Sequence, residues 1–175
     1  MSEPGWTIRK ARPEDLAYLG AIEAAGDAQF PPGRFPGEPG SDNVPVAELE
    51  RGRSCGLLWV AIAEDSRPCA FQYVREEGMH LHLRQIVVHP DHQRRGIGRA
   101  LIAELEAEAR RRGIAILTLT TFADIAWNAP VYRRLGFRVL SGEELASPES
   151  MYLSAELAAE LAAGMVERVA MMKTL

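Results

Sequence analysis

The sequence predicts a single α/β domain over residues 1–175, built on a mixed sheet of six to seven strands with antiparallel strands first and a parallel pair at its centre. Three observations predict it. Short β-branched and apolar runs recur along the chain, amphipathic helical stretches separate them, and one such stretch joins two strand-like runs directly, which demands a parallel crossover. A chain with 47% hydrophobic and 25% charged residues is long and apolar enough for one substantial core.

Trp6 to Lys10 alternates like a strand, and Pro13-Glu14-Asp15 opens a helical pattern through Leu16, Leu19, Ile22 and Glu23. Five Pro and three Gly between Pro31 and Pro45 exclude regular structure there and predict a long surface loop. A short helix over about 46–53 precedes three strands, at 57–64, 69–76 and 79–89. Their separators, Asp65-Ser66-Arg67-Pro68 and Glu77-Gly78, are turn residues, so these strands form an antiparallel meander.

From Gly98 to Arg112 the residues Leu101, Ile102, Leu105 and Ala109 share one helical face, with Glu104, Glu106, Glu108 and Arg110 expected to point outward. Gly113 stops this helix, and Arg110-Arg111-Arg112 suits the negative end of its dipole. The nearly continuous apolar run from Ile114 to Thr121 reads as a central strand, parallel to the one ending at His89. A short helix over 128–135, a strand near 137–140, a helix from about Ser154 to Ala163 and a strand around 166–172 complete the chain.

A net charge of −4 and a pI near 5.6 give no global reason to expect nucleic acid or an anionic membrane as partner. No apolar run reaches the roughly 20 residues of a membrane span, and Met1-Ser2-Glu3-Pro4-Gly5 lacks the basic start and apolar core of a signal peptide, so a cytoplasmic location is expected. Cys55 and Cys69 form no CxxC pair and have no neighbouring His cluster, so no metal is expected.

The segment from Ile86 to Arg99 joins a buried strand, a donor-rich turn (Gln93-Arg94-Arg95-Gly96-Ile97-Gly98) and a helix start. Such a junction traps anions, because unpaired backbone N–H groups converge there, the helix dipole favours negative charge and glycine permits close approach. Arg94, Arg95 and Arg99 add local positive charge. Two other phosphate loops fail: Arg99-Ala100 follows Gly98 where a nucleotide-hydrolase loop needs Lys-Ser/Thr, and Leu101 stands where the dinucleotide fingerprint needs a small residue.

The pattern Gln/Arg-x-x-Gly-x-Gly/Ala after Val88-His89-Pro90 resembles the GNAT superfamily of acyl-CoA-dependent N-acyltransferases. A second motif downstream, Asn128-Ala129-Pro130-Val131-Tyr132-Arg133-Arg134-Leu135-Gly136-Phe137, is similar to that family's Asn…Tyr-x-x-Leu-Gly-Phe helix. Together the motifs cover residues 83–137. The resemblance implies a sheet whose two central parallel strands splay apart, with helices on both faces, and acetyl-CoA as the acyl donor. The backbone of Ile86, Val87 and Val88 would pair with the pantetheine arm, that of Gln93 to Gly98 would hold the pyrophosphate, and Arg94, Arg95 and Arg99 would stand beside it. Asn128 would cap its helix or bond the pantetheine.

Amide formation from an ammonium and a thioester needs a proton acceptor, an N–H aimed at the developing oxyanion, and an acid near sulfur. By the resemblance Tyr132 is that acid and the Val88 N–H the oxyanion donor. The base departs from a common pattern: relatives often place Glu four residues before the His, where this chain has Gln85. His82, and after it His80, are the imidazoles available as base or water-positioner, the other readings being substrate lining, an exposed strand face, or an amine that loses its proton through ordered water with no single side chain essential. His89 and His92 flank the turn and shape it.

The family's acceptor site falls on Glu23, Asp27, Phe30, Phe35 and the segment from Phe122 to Trp127, where Asp124 and Trp127 suit a cationic amine. The expected activity is transfer of an acetyl group from acetyl-CoA to a primary amine of a small molecule, by a monomer or homodimer. The alternatives are a protein or peptide N-acetyltransferase and a non-catalytic acyl-CoA sensor.

Overall fold

The computed structural model describes residues 5–40 and 43–175. Met1 to Pro4, which carry most of the signal-peptide argument, and Ser41-Asp42 of the Pro/Gly-rich stretch lie outside the described residues. The chain runs β1 (Trp6–Lys10), a 3-10 turn (Pro13–Asp15), α1 (Leu16–Asp27), α2 (Val46–Ser54), β2 (Leu58–Ala63), β3 (Pro68–Glu77) and β4 (His80–Val88). A 3-10 turn (Pro90–His92) leads to α3 (Ile97–Arg112), β5 (Ile116–Phe122), α4 (Ala129–Arg134) and β6 (Arg138–Val139). The end of the chain holds α5 (Gly142–Leu145), a 3-10 turn (Pro148–Ser150), α6 (Met151–Ala162) and β7 (Arg168–Thr174).

The strands form one mixed seven-stranded sheet in the order β1-β2-β3-β4-β5-β7-β6. Strands β1 to β4 are antiparallel neighbours, β4 and β5 are parallel as α3 requires, and β7 runs antiparallel to both β5 and β6. Period-two alternation sends Trp59, Ala61, Leu81, Leu83, Leu117 and Leu119 to the face covered by Leu101, Leu105 and Ala109 of α3. Leu58, Val60, Phe71 and Tyr73 face Leu19 and Ile22 of α1 and Leu49 of α2 on the other side.

One irregularity organises the middle of the sheet. Tyr73 pairs with Gln85 but Val74 pairs with Leu83, so Arg84 is an extra residue, a β-bulge on β4. Pairing of β4 with β5 runs from His80↔Ile116 to Leu83↔Leu119 and stops at that bulge, although β4 continues to Val88 and β5 to Phe122. The parallel strands therefore part from Arg84 onward.

Three expectations change in detail. Glu108 is turned inward, not outward: it is buried and receives Lys10 at 3.1 Å, Arg111 at 2.6 Å and Arg112 at 2.7 Å. Burial acts to raise its carboxyl, but the hydrogen bonds from Arg111, Arg112 and Lys10 prevail and hold it at about 2. The helix expected from Ser154 begins at Met151 instead, with Ser154 inside it donating to the Leu145 carbonyl at 2.6 Å. The helix α5 is additional, nucleated by a capping box in which Ser141 and Glu144 satisfy each other's backbone N–H.

Candidate active site

The parting of β4 and β5 opens a cleft of about 1260 Å³. Its floor is the unpaired edge of β4. The His89 N–H bonds back to the Cys69 carbonyl at 2.8 Å, so alternation turns the N–H groups of Ile86 and Val88 toward the opposite edge, into the cleft. Ile86, Val87 and Val88 all line it. Gly26 lets α1 approach closely, since a Cβ there would stand 2.5 Å from Val87 Cγ1.

The donor-rich turn closes one end. Arg94 has φ 61° and Gly96 φ 82°, and this pair of left-handed residues folds the chain back over the start of α3. Gly96 is the N-cap residue of α3, and no side chain caps that end. Added Cβ atoms would meet nothing within 4 Å at Gly96 and only Val88 Cγ2, at 3.9 Å, at Gly98, so the space above the turn is open to a ligand. Gln93, Arg94, Gly96, Ile97, Gly98 and Arg99 line the cleft. Arg95 is not among the residues that line it, and its guanidinium donates to the Asp91 carbonyl at 3.2 Å.

Tyr132 and Asn128 of the second motif form the facing wall. Asn128 does not cap α4 with its side chain; its Oδ1 accepts from the Thr121 hydroxyl at 2.6 Å. Tyr132 packs edge-on to Phe137 at 5.8 Å, and its hydroxyl has no hydrogen-bond partner among the described residues. Burial pushes that hydroxyl up to about 12 against the opposing charge of Arg168.

The far half of the cleft is acidic and aromatic. Phe30 meets Phe35 at 4.9 Å, Phe122 at 5.5 Å and Trp127 at 5.7 Å, and an Arg34–Asp124 ion pair ties the Pro/Gly-rich loop to the end of β5. Glu23 is buried, and its two oxygens accept from Gln85 Nε2 at 2.5 Å and from the Val44 N–H at 3.1 Å. Burial raises its carboxyl above the usual range, more than those two hydrogen bonds lower it.

His82 is fully buried and does not line the cleft: one ring nitrogen lies 3.1 Å from Thr118 Oγ1 and the other 3.1 Å from Glu156 Oε1. His80 is also buried, 3.0 Å from the Tyr152 hydroxyl, with its basicity lowered by desolvation. Glu156 and Glu160 of α6, which sequence reasoning missed, do line the cleft. Burial acts to raise Glu156, yet His82 and Arg75 hold it at about 2, and Glu160 is paired to Arg168 at 2.5 Å. Their spacing of four along an amphipathic helix was a visible signal, but nothing in the sequence says that this face meets a cleft. Among the described residues no group of three or more His, Cys, Asp and Glu is placed to hold a metal ion, and no helix is long and apolar enough to cross a membrane.

Residues 27–137 match the model of the acetyltransferase (GNAT) family. Among curated proteins, the [ribosomal protein bS18]-alanine N-acetyltransferase of Escherichia coli (strain K12) is 46% identical over 55 residues, which are 31% of this chain and 37% of that protein. The protein of the same name from Salmonella typhimurium is 39% identical over 83 residues, 46% of this chain and 54% of its own length. Both alignments thus span about half or less of the relative. In solved structures, the PaiA N-acetyltransferase from Thermoplasma acidophilum in complex with coenzyme A superposes with TM-score 0.68 at 20% identity, covering 100% of both chains. The ribosomal-protein-S18-alanine N-acetyltransferase from Escherichia coli gives TM-score 0.67 at 22% identity, covering 97% of this chain and 93% of that one. These likenesses show the fold. Glu23, Glu156 and Glu160 lie outside the segment matched to the family.

Proposed function

Because the chain belongs to the acetyltransferase (GNAT) family, we propose that it carries the acetyl group of acetyl-CoA directly to a primary amine, in the cleft between β4 and β5. The observation that carries this reading is the juxtaposition of three features in one cleft: an unpaired strand edge, an uncapped helix start behind a glycine turn, and a tyrosine hydroxyl without a partner among the described residues. The edge suits a pantetheine arm, whose amides resemble a neighbouring strand. The turn suits a pyrophosphate held by backbone N–H groups from Gln93 to Gly98, with Arg94 and Arg99 beside it.

The chemistry follows from charge. The amine loses its proton and attacks the thioester carbon, a C–N bond forms, and negative charge grows on the carbonyl oxygen within reach of the Val88 N–H. The C–S bond then breaks, the thiolate takes a hydrogen bond from Tyr132, and the second amine proton passes from nitrogen to sulfur, leaving amide and free thiol. The Asn128 oxygen is committed to Thr121, which leaves its NH₂ group to hold the pantetheine.

The acceptor we propose is a small cationic amine with an apolar portion. Acidic side chains and the Phe30, Phe35, Phe122 and Trp127 cluster share the far half of the cleft, and an ammonium beside aromatic faces is favoured by charge and by cation–π contact. A protein N-terminus is the second reading, favoured by the names of the aligned relatives. Thiol release from acetyl-CoA, measured with alkyl and arylalkyl amines, polyamines, amino acids and peptides starting with Ala, separates them. Higher kcat/KM for the small amines supports the first reading, and a lead for the peptides supports the second. No stimulation by any amine contradicts acetyl transfer.

A further inference from the structure

We propose that Glu23 of α1 is the group that takes the proton from the attacking amine, and that Gln85 of β4 positions it. The inference rests on the acetyl-transfer reading and names the base which Gln85, as an amide, cannot be.

The titratable groups of the cleft sort by their partners. Glu156 is bound to His82 and Arg75, which hold its carboxyl at about 2, and Glu160 is already paired to Arg168. His82 has both ring nitrogens engaged and no exposure. Glu38 sits exposed in the Pro/Gly-rich loop. Asp27 of α1 and Arg84 of β4 also line the cleft, and the charge of Asp27 raises the Glu23 carboxyl while that of Arg84 lowers it. Glu23 differs from Glu156, Glu160, His82 and Glu38. It is 2% exposed, lines the cleft, and its oxygens are held by two neutral donors, the Gln85 amide and the Val44 N–H. A carboxylate so placed is ordered without being neutralised, and desolvation raises its basicity toward the range a general base needs.

Position agrees with chemistry. Gln85 precedes the Ile86 to Val88 edge proposed for the acyl arm, and Gly26 seats α1 directly on Val87. The Glu23 carboxyl thus reaches the position of Gln85 from the opposite helix, one hydrogen bond away. The step balances: an ammonium proton passes to Glu23 Oε, directly or through one water, and the nitrogen lone pair forms the C–N bond. The C–S bond breaks with its electrons on sulfur, the second amine proton leaves the adduct for that sulfur to give neutral amide and free thiol, and Glu23 returns its own proton to solvent once the amide has left.

The test is the pH dependence of kcat with saturating amine, alongside acetyl-CoA affinity and melting temperature. E23Q keeps the shape and the contact to Val44 and is expected to lower kcat about 100-fold while acetyl-CoA affinity holds. The double variant E23Q/Q85E, which moves the carboxyl across the hydrogen bond, is expected to recover at least about a tenth of the lost rate. Gln85→Met removes a donor that stabilises the ionised carboxylate, so the acid limb of the kcat profile should move to higher pH. E23Q with unchanged kcat and acid limb overturns the assignment, as does an unmoved limb in Gln85→Met, which decides the matter even if E23Q does not fold. Absence of amine-stimulated thiol release by the unsubstituted chain overturns this proposal and the acetyl-transfer reading together.

Discussion

Tyr132→Phe removes one oxygen from the wall of the cleft, and the structure sets what that oxygen can do. Its hydroxyl is pushed up to about 12. An ordinary thiol has a pKa near 8.5, so complete proton transfer from Tyr132 to a departing thiolate would run uphill by about 3.5 in pKa, about 5 kcal/mol. The contribution must therefore come from a hydrogen bond to charge developing on sulfur, worth about 1.5–3 kcal/mol, which is about 10- to 150-fold in rate. We expect a loss of about 100-fold in kcat, with no ionisation of Tyr132 visible on the basic limb up to about pH 10. Because the hydroxyl has no hydrogen-bond partner among the described residues, its loss should shift Tm by less than about 2 °C and leave acetyl-CoA affinity within about threefold. Thiol-release kinetics, calorimetric titration with acetyl-CoA and thermal unfolding measure the three quantities. A kcat within twofold of the unsubstituted protein would refute the role given to Tyr132. A large fall in Tm would show instead that the hydroxyl serves the fold.

Gly96 lies at φ 82° above open space, so Gly96→Leu should weaken acetyl-CoA binding at least about 100-fold in a titration, through backbone strain of about 1–2 kcal/mol and occupation of the phosphate position. Trp127→Ala should raise the amine KM several-fold and leave acetyl-CoA affinity unchanged, since Trp127 faces Phe30 at the acceptor end. Glu108 has a folded-state carboxyl at about 2 against an ordinary 4.5, so its stabilisation is present in full above about pH 4.5 and is lost as pH falls toward 2. Glu108→Gln should cost up to about 3 kcal/mol in urea unfolding at pH 7 and markedly less at pH 3. An equal loss at both pH values would show that packing, not charge, carries the effect.

The strands and helices up to Arg112 were legible because each carries a periodic pattern bounded by Gly, Pro or cap residues, and Gly113 ends α3 in the left-handed conformation its sequence predicts. The Ala-rich segment after Ser141 was read less well. Residues such as Ala155, Ala158 and Ala159 give a helix little amphipathic contrast, so its start slipped by three residues and α5 went unseen. The turn from Gln93 to Gly98 is a local device and could be read locally. The base is not. The bond from Gln85 to Glu23 joins residues 62 apart, and the burial that sets the Glu23 carboxyl comes from α1 and Val44 packed over β4. His82 looked available as an alternating strand residue, and only the packing of α6 shows that Glu156 covers it.

The central claim is that the gap between β4 and β5 holds the acyl arm while the turn before α3 holds the pyrophosphate. A crystal structure of the chain with acetyl-CoA tests it most directly. The claim predicts phosphate oxygens within about 3 Å of backbone nitrogens between Gln93 and Gly98, and the thioester sulfur within hydrogen-bonding reach of the Tyr132 hydroxyl. A pyrophosphate seated away from that turn, or a sulfur beyond reach of Tyr132 with no water between them, would contradict it.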